Sequence, residues 1–168
     1  VRKVAQPGLA LRRVTVPIIQ HVLAGPCRLG RVSQARANEL FKQLENEAWL
    51  VERERDTLVH RADVRSVMVR MMAEDPKFAR QVISLHRAAL RWYREGAGRS
   101  ELGEEAARQE ALYHELALLP PESDLPQLVK GPPEKGSRLL SDLRALLPAR
   151  DDFGPRLAAQ LRFAAEGW

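Results

Sequence analysis

Four histidines and one cysteine are the side chains of this chain with chemistry to offer near neutral pH, and their spacing excludes most of it. The histidines stand at positions 21, 60, 86 and 114, with no two at ligand spacing, and Cys27 has no second cysteine to pair with. There is no glycine-rich phosphate loop, no paired Cys or His motif for zinc and no nucleophile elbow. No residue is therefore assigned a catalytic or metal-binding role, and the segment is expected not to be an enzyme. His60 stands apart because it closes the strand-like run Leu58-Val59-His60, just before helix signals that carry Asp63 and Arg65. An imidazole at that corner can point towards whatever the unit docks against and donate to a phosphate. The alternative is that His60 and Asp63 cap the following helix. His86 and His114, beside apolar helix positions, are expected to be half-buried with a hydrogen bond, and His21 to be solvated.

The elements that would hold His60 are legible on both sides of it. Ser33 is a helix N-cap, followed by Ala37, Leu40, Phe41 and Leu44 at spacings of three and four. Ala48-Trp49-Leu50-Val51 reads as a strand, Glu52 to Asp56 as a polar turn, and Leu58 to His60 as the returning strand. Helix signals resume through Val64, Val67, Met68 and Met71. Upstream, Gly8 to Arg13 suits a brief strand or extended lead-in. Thr15 and Pro17 then open a helix carrying Ile18, Ile19, Val22 and Leu23, which Gly25-Pro26 stops. Helix, helix, hairpin, helix is the layout of a winged-helix unit.

Asp75-Pro76 breaks the chain, because the residue before proline disfavours the helical region. Beyond it, Phe78, Val82, Leu85, Ala89 and Trp92 form one helical stripe ending near Gly96. A second helix runs from about Glu104 to Leu119, and Pro120-Pro121 ends it. After an irregular, proline-interrupted stretch come helices over about Glu134 to Leu147 and Asp152 to Ala165. The expected fold class is mainly α: a winged-helix unit with a short β-hairpin over residues 1–75, then antiparallel helical pairs of tetratricopeptide-like type over 76–168. Trp49, Trp92 and Tyr93 are expected in the core or in packing between units.

Composition bounds the partners. The chain has 168 residues, 45% of them hydrophobic, and no apolar run near the roughly 20 residues that span a bilayer. With one cysteine and no signal-peptide pattern, a cytoplasmic location is expected. The chain opens on Val1 rather than methionine, from which a fragment of a longer protein is expected. Its net charge of +5 comes from 27 basic against 22 acidic residues, and most cations have an acidic neighbour within a turn. The densest basic cluster, His60, Arg61, Arg65 and Arg70, contains Asp63, so a solvated mixed-charge face is expected.

Several segments together resemble a known family. They are Pro7-Gly8-Leu9 running into Leu11 to Thr15, Ile18 to Cys27, Leu40-Phe41 to Leu44, Leu58 to Arg65, Leu85 to Ala89, and Glu110 to Leu116. Their order over residues 5–119 resembles the region just after the ATPase core of bacterial STAND proteins, the signal-transducing NTPases with numerous domains. The resemblance implies a nucleotide-binding domain upstream that carries ADP or ATP, and a helical array for protein contacts. In plant and apoptotic relatives a Met-His-Asp motif in the winged helix touches the β-phosphate of ADP. Here Val59-His60-Arg61-Ala62-Asp63 is similar, with Val in place of Met and two residues between His60 and Asp63. The histidine role carries over by resemblance to His60 as an ADP phosphate sensor; the aspartate role does not.

The resulting expectation is a non-catalytic regulatory and interaction segment of a STAND-type signalling ATPase, with no cofactor of its own. Its partners would be the upstream nucleotide-binding domain and a protein or protomer held by the helical region. Defence against phage is a plausible setting by resemblance alone. The competing expectation is a DNA-binding winged-helix regulator with a helical dimerisation region. It is disfavoured because the helix that would enter the groove carries Glu39, Glu45 and Glu47 against Arg36 and Lys42.

Overall fold

Capping chemistry and proline placement set the helix boundaries. The computed structural model describes residues 2–120, 123, 125 and 133–166. The fold is mainly helical with one small antiparallel sheet, and it divides into two compact units, one up to Trp92 and one from Tyr93 onward. The division expected at Asp75–Pro76 falls instead inside a long helix, whose buried Val82, Leu85 and Ala89 belong to the first unit.

The first unit runs α1 (Arg2–Gly8), β1 (Arg13–Val14), α2 (Val16–Ile18), α3 (Gln34–Glu45), β2 (Val51–Glu54), β3 (Thr57–His60), α4 (Ala62–Glu74) and most of α5 (Pro76–Arg94). α2 continues into a π-helical turn, Ile19–Leu23. The caps act as the sequence suggests: Thr15 Oγ1 accepts from the Ile18 N–H at 3.3 Å, and Ser33 Oγ accepts from the Arg36 N–H at 3.2 Å. Asp75 sits in extended conformation between α4 and α5, as proline at the next position requires.

The sheet order is β1-β3-β2, so β3 lies in the middle. Val14 pairs with Leu58 and Arg13 with Val59 on one side, while Val51 pairs with His60 and Glu54 with Thr57 on the other. The hairpin turn is therefore only Arg55-Asp56, with Arg55 in the left-handed region at φ 55°. Two features depart from expectation. α1 is a helix where no element was expected. β2 begins at Val51, leaving Ala48 to Leu50 as a turn and Trp49 60% exposed. The indole N–H donates to Glu47 Oε2 at 2.8 Å, a local partner that lets the ring stay outside the core.

Leu9, Leu11, Val14, Ile18, Leu44 and Leu58 are buried in the first unit, each at most 2% exposed. Burial of side chains this size contributes about 1.5–3 kcal/mol each. The second unit holds α6 (Ala97–Leu102), α7 (Glu104–Ala117), α8 (Pro133–Ala145), a 3-10 helix (Leu147–Asp152) and α9 (Pro155–Glu166). α6 is an added short helix, following Gly96 at φ 93°. The core of this unit gathers Tyr113, Leu116, Leu143, Leu146, Phe153 and Leu161. Arg108 forks onto the buried Asp142 carboxylate at 2.6 and 2.9 Å, tying α7 to α8. Of the irregular stretch expected from Leu125 to Pro133, only Leu125 and Pro133, the first residue of α8, lie among the described residues.

Candidate functional site

His60 is inward-facing by strand parity. Side chains alternate across a strand, and Leu58 is fully buried, so His60 two residues later must face the same core. It is 3% exposed. Its backbone N–H donates to Arg12 O at 3.1 Å, and ring Nδ1 lies 2.8 Å from Leu11 O. A carbonyl can only accept, so Nδ1 carries the proton and Nε2 is left as a lone pair. Nε2 is buried and has no hydrogen-bond partner. Burial pushes the ring down to about 4, the Leu11 contact opposing this and the Arg65 charge adding to it. His60 is thus a neutral clamp holding the end of β3 to the chain that enters β1. It does not cap α4: Arg61 occupies that position without a side-chain cap, and Asp63 pairs with Arg61 at 3.2 Å.

The rest of the expected basic cluster separates. Arg61 and Arg70 are exposed, whereas Arg65 is 3% exposed. His86, on the inner side of α5, is also buried rather than half-buried, and burial with the Arg65 charge pushes it down to about 4. Two neutral histidines therefore flank the influence of one buried arginine. His114 is 1% exposed and stacks on Tyr93 at 5.9 Å. His21 is exposed as expected and lies flat on Trp92, with ring centroids 5.2 Å apart. Cys27 is buried, which pushes its thiol up to about 12 and makes it a poor nucleophile.

Two exposed surfaces of the first unit carry cations in different ways. On α3 and the hairpin Arg36 and Arg53 are neutralised in place, as is Arg13 on the neighbouring β1, whereas Lys42 and Arg55 have no ion pair among the described residues. Arg36 meets Glu39 at 2.6 Å, Arg53 meets Glu45 at 2.6 Å, and Arg13 meets Glu54 at 3.5 Å. Arg53 also lies 5.9 Å over the Phe41 ring. The hairpin tip adds Glu52, Glu54 and Asp56 around Arg55.

α5 is the opposite case. It contains Lys77, Arg80, Arg87, Arg91 and Arg94, and no acidic residue. Those five of the chain's 27 basic residues supply the whole excess, since the other 22 are matched by 22 acidic ones. Lys77, Arg80, Arg87 and Arg91 are exposed, and none has an ion pair among the described residues. Sequence reasoning followed the apolar stripe of this helix and missed its polar one. The signal was present: steps of three, seven and four residues place all four cations on one face.

Among the described residues no His, Cys, Asp and Glu side chains gather in threes as a metal site would require. No helix among them is long and apolar enough to cross a membrane. No protein-family profile, curated protein or solved structure matches this chain.

Proposed function

We propose that this chain is a non-catalytic regulatory and interaction segment of a STAND-type signalling ATPase. Its first unit would act as a winged helix that holds the ADP-bound form of an upstream nucleotide-binding domain closed. Its second unit, with helices adjacent in sequence packed on one another, would serve as a tetratricopeptide-like surface for a protein partner or a neighbouring protomer. Two observations support the winged-helix reading: the element order α1-β1-α2-α3-β2-β3, and β3 lying between the other two strands.

The observation that carries the choice of function is the charge state of α3 and the hairpin. A DNA-reading winged helix needs free cations there to meet phosphates. Arg36, Arg53 and Arg13 are already bonded to carboxylates of the same surface, leaving only Lys42 and Arg55 of α3 and the hairpin without an ion pair among the described residues, which suits docking on protein. Reading of duplex DNA through α3 is the weaker alternative for the same reason.

His60 is the proposed nucleotide sensor. Its buried Nε2 without a partner costs about 1–3 kcal/mol, an expense that favours a residue kept for a second state. With Nδ1 donating to Leu11 O, the neutral ring has only a lone pair at Nε2, so contact with an ADP phosphate requires either protonation of Nε2 or release of that carbonyl by Nδ1–H. In the parent protein, His60→Ala is expected to speed ADP release at least tenfold and raise basal activity, with the circular dichroism spectrum retained. Unchanged ADP retention in that variant would remove the sensor role.

A further inference from the structure

The acid-free face of α5 is a second candidate site, independent of any nucleotide switch. Lys77, Arg80, Arg87 and Arg91 follow one line along the helix, covering about 21 Å at 1.5 Å per residue. A cavity of about 860 Å³ opens at its first turns, lined by Arg28, Lys77, Arg80 and Ser84. A second hollow of about 480 Å³ shares Arg80 and Ser84 with it and continues past Arg87 to Arg91. The two form one elongated groove with five cations and no carboxylate in its lining.

The wall opposite the start of α5 is the turn Gly25 to Arg28, joined to the helix where Gln81 Nε2 donates to Pro26 O at 3.0 Å. Arg28 stands in the left-handed region at φ 52°, a conformation ordinarily left to glycine or asparagine. The nearest acids in sequence lie outside the groove: Asp75 caps the start of α5 through the Lys77 N–H at 2.9 Å, Glu74 precedes it, and Glu95 follows α5.

Cations three and four residues apart on a helix repel one another, by about 0.2–0.5 kcal/mol per pair. A surface helix carrying Lys77 beside Arg80 and Arg87 beside Arg91 bears that cost twice, with no carboxylate to offset it. A polyanion removes it. Most of the groove's cations are guanidinium groups, whose forked donors match phosphate oxygens. The helix cannot enter a bilayer, because its apolar side, Val82, Leu85 and Ala89, is already buried in the unit. The groove offers a protein few apolar anchors beyond Ile83 and Leu90. A repeating line of charge calls for a repeating line of opposite charge. Its length corresponds to about six phosphates of one duplex strand at 3.4 Å each.

We propose that the groove along α5 binds the phosphate backbone of a nucleic acid, without reading its sequence. The test is fluorescence anisotropy of the full chain with two unrelated 20-base-pair duplexes and a single strand, between 50 and 300 mM salt. With four to five phosphate contacts, the logarithm of the duplex binding constant should fall against log salt with a slope of about −4, equal for both sequences. Arg80→Ala/Arg87→Ala/Arg91→Ala should weaken duplex binding by about 100-fold or more at 0.1 M salt and reduce the slope by roughly 2.7. These three residues are exposed, so melting temperature should hold. Arg36→Ala/Arg53→Ala/Arg61→Ala should stay within twofold of the unaltered chain.

Absence of salt-sensitive binding would overturn the proposal, as would equal weakening by the two triple variants. Binding of phosphatidylserine vesicles in place of nucleic acid would overturn it as well. A result on His60 and ADP bears on the switch reading and leaves this one untouched.

Discussion

The face made by α3 and the hairpin and the face made by α5 are both rich in arginine, yet they present different fields. On the first, each of Arg36, Arg53 and Arg13 finds a carboxylate within 3.5 Å. On the second, Lys77, Arg80, Arg87 and Arg91 find none among the described residues. Counting cations does not separate these surfaces; counting the acids within reach of them does. An exposed ion pair has little attraction left for a distant phosphate at physiological salt, where screening acts over about 8 Å. Four like charges in a groove without counter-charge add their fields, and a polyanion is what such a sum attracts.

Acidification should break the comparison altogether, because a buried neutral histidine lies beneath each surface. His60 closes the strand next to the hairpin, and His86 is on the inner side of α5. Both are pushed from the ordinary 6.5 down to about 4. Above pH 6.5 each is neutral in the folded and unfolded chain. Between 6.5 and about 4 the unfolded chain takes up protons that the folded one refuses, so stability falls with falling pH and levels off below 4. At 1.36 kcal/mol per pKa unit the loss is roughly 3 kcal/mol per histidine. Urea midpoints at pH 7.5, 5.5 and 4.5 read it directly, and His86→Gln should flatten the decline. A midpoint independent of pH would mean that these rings are not buried in solution.

A smaller effect should come from freeing the paired cations. Glu39→Gln/Glu45→Gln releases Arg36 and Arg53 and ought to make the α3 face resemble that of α5. Duplex affinity at 0.1 M salt should rise several-fold, and the salt slope should steepen by up to about 2. An unchanged slope would show that position along one helix matters more than the loss of a partner. The smallest change is at the hairpin tip. Arg55→Gly relieves a left-handed residue at φ 55° and should stabilise the chain by about 0.5–1 kcal/mol in thermal unfolding, with nucleic-acid affinity unaltered. A loss of stability there would mean that the Arg55 side chain holds the turn.

Much of the first unit was legible because the rules that make it act over a few residues. Ser33 and Thr15 were identifiable as caps, Asp75-Pro76 as a break, and Leu58 to His60 as a strand. The burial of His60 was also within reach, since it follows from Leu58 by strand parity; attention to the polar corner at Asp63 obscured it. Trp49 misled for a different reason. Its size argued for burial, but the hairpin register starts β2 at Val51 and leaves the indole bonded to Glu47 on the surface.

By itself the sequence determined where helices start and stop, the excess of positive charge and its concentration between Lys77 and Arg94. Caps, prolines and composition are local, and their effects survive without knowledge of the rest of the chain. The tertiary structure alone decided that β1 joins the sheet, that the His60 ring bonds to Leu11 across 49 positions, and that Arg53 meets Glu45. It also decided that the turn at Gly25 to Arg28 comes to face α5, adding a cation to the groove. Those outcomes depend on which surfaces pack together, and packing is settled by the whole core at once.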